Sequence, residues 1–243
     1  MTRLARWKTV ALMPLLLGGA ACVRPSEHVR HGAPVAPVVL RHARPAADGA
    51  APVSRPQRLG VAVARESMLG RTGGVFGHTG GTHALGPADR DAVAQRVAAL
   101  LRQQPALRGT EVVVLPDGVE RLAGAELRAR HGIDALCMVG YEQTQRTSNG
   151  PLLLLELALL VPPFVLPTMR GEAATTLDLI AVRLDDGRAL FHGGSTSRVH
   201  GRAVPMFAES HAHDLRVRGL HDAVAALGAE LPRILTDLDD APR

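Results

Sequence analysis

The chain has 243 residues, with 28 basic and 23 acidic side chains and two cysteines; setting a leader and a connector aside leaves roughly 185 residues, enough for one domain with a sizeable core. Three of the basic residues precede Cys22, so 25 basic side chains face 23 acidic ones beyond it and the net charge there is only about +2, which gives no electrostatic case for a nucleic-acid partner. Beyond that point the aromatic residues are Tyr141, Phe76, Phe164, Phe191 and Phe207, too few to build a stacking platform for bases.

Arg3, Arg6 and Lys8 precede an apolar run that starts at Thr9 and closes with Leu15-Leu16-Leu17-Gly18-Gly19-Ala20-Ala21-Cys22. A basic start, a short apolar centre and small residues before a cysteine form the pattern of a lipoprotein signal peptide over residues 1–21. Cleavage would leave Cys22 first, its sulfur carrying diacylglycerol. The plainer alternative is a secretory signal cleaved after Ala21. Val23 in place of Asp beside the cysteine favours the outer membrane over the inner one, with the domain facing the periplasm or the exterior. Cys137 lies in the apolar run Ala135-Leu136-Cys137-Met138-Val139, so no internal disulfide is expected.

Residues 22–57 hold Pro25, Pro34, Pro37, Pro45, Pro52 and Pro56 among Ala, Arg and His. Such a composition buries little and predicts an extended tether, with a reach of about 30 to 100 Å. The folded domain is expected over 58–243.

Leu59 to Ala64 reads as a buried strand, followed by a long Gly-rich loop. Pro87-Ala88-Asp89-Arg90-Asp91 opens a helix whose Val93, Val97, Leu100 and Leu101 share one face. Glu111 to Leu115 is a central strand, and Val119 to His131 a helix ended by Gly132. Ala135 to Tyr141 is a third buried strand, so the order strand, helix, strand, helix, strand implies parallel neighbours. Ala174 to Leu184 and Arg188 to Arg198 flank Asp185-Asp186-Gly187, an Asp-Gly hairpin signal. A long helix from about Phe207 to Leu238 carries Leu220, Val224, Leu227, Leu231 and Ile234 as a stripe, with Pro232 set to kink or restart it. The expected fold is α/β, a two-layer domain with a mixed sheet of about five strands and about three helices.

Leu152 to Leu166 is the most apolar stretch after the leader, yet Glu156, Pro162 and Pro163 interrupt it and it falls short of the roughly 20 residues a membrane helix needs. It reads as core, or as an apolar contact surface through Leu154, Leu157, Leu160 and Phe164 that would drive oligomerisation or insertion.

Several residues invite chemistry. His78 and His83 on the Gly-rich loop, with His211, His213 and Asp214, are candidate metal ligands for a metal-dependent envelope hydrolase, though their spacing fixes no geometry. Gly73 to His83 stands between a strand and a helix, but the loop is too long and lacks the Lys of a phosphate-binding turn. Ser195 and Ser197 near His192 and His200 lack the Gly-x-Ser-x-Gly elbow of a hydrolase. No cofactor, metal or catalytic residue is assigned on these grounds.

Leu59-Gly60-Val61-Ala62-Val63, Gly132-Ile133-Asp134-Ala135-Leu136 leading to Val139-Gly140-Tyr141-Glu142-Gln143, Thr176-Leu177-Asp178-Leu179, and Leu190-Phe191 followed by Gly194-Ser195-Thr196-Ser197 occur in this order. In them the chain resembles the rhombotarget lipoproteins of bacteria over most of Arg58 to Leu238. The resemblance implies a lipoprotein and carries over no catalytic residue. The expected function is a non-enzymatic, outer-membrane-anchored lipoprotein that contacts the membrane through its N-terminal lipid and binds a protein of the envelope, with no nucleic acid.

Overall fold

A computed structural model of the protein describes residues 26–33, 55–73, 85–150, 167–204 and 207–239. In chain order these form β1 (Ser26–Ala33), β2 (Arg58–Val63), β3 (Ser67–Gly73), α1 (Pro87–Arg102), β4 (Glu111–Val114), α2 (Gly124–His131), β5 (Ala135–Asn149), β6 (Met169–Arg183), β7 (Ala189–Ala203), α3 (Ala208–Ile234) and the single turn α4 (Thr236–Asp239). The fold is α/β with a mixed sheet, as the alternation of apolar strands and amphipathic helices dictates.

β5 is the axis of the sheet. Along one edge it pairs with β6 over its whole length, antiparallel, and β6 pairs with β7 through the turn at Asp185-Asp186-Gly187. Gly187 has φ 72° there, and Asp186 accepts the Arg188 N–H at 3.0 Å, the local chemistry of a tight Asp-Gly turn. Along the other edge two strands share β5 end to end. β2 runs parallel to Ala135–Val139 and hands on to β4, whereas β1 runs antiparallel to Tyr141–Ser148 and hands on to β3.

α1 and α3 pack together and on one face. Residues of β5 with odd numbers point to that face, since Gln143 bonds α3 there. α1 starts with Pro87 at its first position while the Gly86 N–H donates to Asp89 at 3.1 Å, a capped and charge-favoured N-terminus. α3 continues two residues past Pro232 and stops at Ile234, and Leu235 separates it from α4. On the opposite face Gly60 lies under Leu115 and Ile133, with Gly132 against Arg58. Gly132 closes α2 at φ 63°, and α2 crosses on this side because the connection β4 to β5 steps back past β2.

One expectation is corrected. Ser26–Ala33, expected within the tether, is a strand paired on both edges, so the domain reaches upstream of Arg58 and only Val23, Arg24 and Pro25 separate Cys22 from it. β3 likewise occupies the start of the expected Gly-rich loop. Cys22, His78, His83 and the apolar candidates Leu154, Leu157, Leu160 and Phe164 lie outside the described residues. Among the described residues no helix is long and apolar enough to cross a membrane.

Candidate functional site

β2 and β1 meet head to head on the edge of β5 near Val139–Tyr141, and the short link from β2 to β3 places Glu66 at that junction. The Glu66 side chain is fully buried. Four donors converge on it. His31 Nδ1 of β1 lies 2.8 Å from Oε1, which also takes the Arg216 guanidinium of α3. Oε2 accepts the Tyr141 hydroxyl at 2.6 Å and the Leu85 N–H at 2.7 Å. Burial alone would raise this carboxyl, but the His31 bond, the Arg216 charge, the Tyr141 hydroxyl and the Leu85 amide outweigh it and bring its pKa down to about 2.

Gln143 continues the network. Its Nε2 donates to the Arg216 carbonyl at 2.8 Å and to Thr175 Oγ1 at 2.9 Å, and its Oε1 accepts from Arg216 Nε at 3.2 Å. Arg90 then donates to the Leu85 carbonyl at 2.6 Å and to Asp117 at 2.7 Å. Leu85, two residues before α1, is therefore held at both its N–H and its carbonyl. Burial pushes the Tyr141 hydroxyl upward, and the Glu66 charge adds to this. Each oxygen of the Glu66 carboxylate is thus occupied by two partners. Its chemistry is that of a lock joining β1, the β2–β3 link, β5 and α3.

A second feature lies on the opposite face. There no described helix covers the outer part of the sheet, and the register aligns Ser26, Ser148, Arg170 and Arg202 in one row and His28, Arg146, Glu172 and His200 in the next. A shallow groove of about 440 Å³ runs between Arg146, Ser148, Arg170, Glu172, His200 and Arg202. Glu172 pairs with Arg198 at 3.3 Å, and Glu142 pairs with Arg30. Arg146, Arg170 and Arg202, all exposed, have no ion pair among the described residues.

The described residues among those proposed from sequence, His211, His213 and Asp214, do not converge with a third metal-ligating group. His213 Nε2 lies 3.8 Å from Asp89, Asp214 is exposed, and the His211 ring packs where a Cβ on Gly201 would meet Nε2 at 2.5 Å. His211 Nε2 is buried with no hydrogen-bond partner, and burial followed by Arg218 lowers its pKa. Among the described residues no three His, Cys, Asp or Glu side chains group as a metal site. Ser195 and Ser197 donate their hydroxyls to the Ala223 and Gly219 carbonyls, pinning α3 to β7. Cys137 is buried and its thiol pushed upward by that burial, so it is not a reactive nucleophile.

Sequence reasoning missed Glu66, His31 and Arg216. Arg216 had a signal, because it occupies an inward position between Ala212 and Leu220 on the apolar stripe of α3, and a charge there needs a buried partner. No protein-family model matches the chain, and no curated protein matches it.

Proposed function

We propose that the chain is an outer-membrane-anchored lipoprotein, acylated at Cys22, whose α/β domain acts by binding a partner of the cell envelope and not by catalysis. The observation that carries this reading is the leader, with Arg3, Arg6 and Lys8, the apolar run and the small residues before Cys22. The resemblance to the rhombotarget lipoproteins points the same way. The binding reading draws support from the described polar groups. The Glu66 cluster is consumed by joining strands, the Ser195 and Ser197 hydroxyls by holding α3, and the open face offers charge without a nucleophile aligned to a base.

Intact mass of the N-terminal peptide from envelope-extracted protein tests it. The expected product begins at Cys22 and carries diacylglycerol with a further acyl chain, and Cys22→Ser abolishes both cleavage and palmitate incorporation. A free Cys22 thiol, or a leader retained in the unsubstituted protein, overturns it.

A further inference from the structure

Three arginines with no ion pair among the described residues share one face that no described helix covers, and they need an account. Arg170 and Arg202 are direct cross-strand partners, and Arg146 is diagonal to Arg170. Like charges directly opposite on a sheet repel, and the nearby carboxylates Glu172 and Glu142 are already paired with Arg198 and Arg30. An anion bound across the face would relieve that repulsion, and guanidinium groups suit phosphate oxygens.

The chain path says which anion. Ser26 pairs with Ser148, in the row of Arg170 and Arg202. Four steps of chain join Cys22 to Ser26, a reach of at most about 14 Å. Phe207, 57% exposed and one of two large apolar side chains so exposed among the described residues, follows Arg202 closely at the start of α3. Ser26, four residues after Cys22 in sequence, the three arginines and an exposed phenylalanine thus belong to one end of the sheet.

We infer that this end is seated on an anionic phospholipid leaflet, with Arg146, Arg170 and Arg202 on lipid phosphates and Phe207 in the headgroup layer. The inference rests on acylation of Cys22 and adds to it a fixed orientation. One lipid signal combined with a basic patch holds a domain down, whereas a lipid on a long tether would leave it tumbling. The Asp185-Asp186-Gly187 turn then points away from the membrane, about 45 Å distant along β5.

The full chain, expressed in a lipoprotein-processing bacterium and reconstituted into phosphatidylcholine vesicles with about 30% phosphatidylglycerol, tests this. An environment-sensitive dye is placed on S210C, beside Phe207, or on D186C at the far turn. Cys137 is buried and Cys22 acylated, so neither competes for dye. Lipid-borne quenchers are expected to reduce the S210C signal at least about threefold more than the D186C signal. The difference disappears when Arg146, Arg170 and Arg202 are all replaced by Glu, and shrinks when all are replaced by Gln with the unfolding midpoint unchanged. Equal quenching at the two positions overturns the inference, as does a difference that survives both triple variants, which would show that the arginines do not hold this end on the lipid. Intact mass of the same sample separates the cases: acylated protein with equal quenching defeats the seating alone, and unacylated protein defeats the lipoprotein reading beneath it.

Discussion

Ala135–Tyr141 and Glu142–Asn149 belong to one unbroken strand, yet they keep their place by different physics. The first seven residues are all buried, flanked in the sheet by β2 and β6, whose buried Leu59, Val61, Leu177 and Leu179 stand beside Ala135, Cys137, Tyr141 and Val139. The rest alternates, with Glu142 and Arg146 outward and Gln143, Gln145, Thr147 and Asn149 buried inward. The first half is held by the area it removes from water. The second carries buried polar groups, paired at Gln143 but left without a partner at Gln145 Oε1 and the Asn149 amide, and Glu66 sits where the two regimes meet. Hydrophobic burial tolerates small errors of position, whereas a buried polar group costs free energy unless its partner is in place.

The sharpest way to break this contrast is at Glu66. Glu66→Ala removes the Glu66 carboxylate from the buried Arg216 guanidinium and should cost about 3–5 kcal/mol in urea unfolding. Amide exchange should rise first in β1 and β3, with β2 and β4 remaining protected. Loss spread evenly over the sheet would show that the junction is not a separate lock. The same group sets an acid limit. Its folded pKa of about 2 lies below the reference value of 4.5, so ionised Glu66 contributes fully above pH 4.5 and its contribution is lost as pH falls from there toward 2. Glu66→Gln should remove that segment of the pH–stability curve, and a curve unchanged in shape would refute the assignment.

Leu59→Ala probes the other half. Leu59 is fully buried opposite Ala135, and the cavity should cost about 3 kcal/mol. Here exchange should rise over the whole domain, because the apolar core spans β2, β5, β6, α1 and α3 without a seam. The measurement is denaturant unfolding with exchange mapped by strand.

The same contrast explains what the sequence makes legible. β2, β4 and the first half of β5 announce themselves as apolar runs, β6 and β7 through their long alternating patterns around Asp185-Asp186-Gly187, and α1 and α3 through their stripes. β1 and β3 are silent by those rules. Ser26-Glu27-His28-Val29-Arg30-His31-Gly32-Ala33 contains one large apolar residue, Val29, and lies in proline-rich surroundings. It is a strand because polar partners distant in sequence receive it, including Glu66 for His31. No local window holds that information. The open arginine face was equally hidden, since Arg146, Arg170 and Arg202 become neighbours only through the register of three strands.

The gentlest test reverses the usual sign. Gln145 is buried on the helix-facing side of β5, its Oε1 has no hydrogen-bond partner, and its Nε2 reaches only Thr147 Oγ1 at 3.5 Å. A buried acceptor left unpaired costs more than an apolar group of similar shape. Gln145→Met, which nearly conserves volume and can adapt its rotamer to the space, should therefore stabilise the domain by about 1 kcal/mol. The matching change Gln143→Met should destabilise by a similar amount or more, because Gln143 bonds both the Arg216 side chain and its carbonyl. Paired urea titrations decide it: if both substitutions shift the midpoint in the same direction, the outer half of β5 is not organised by polar pairing.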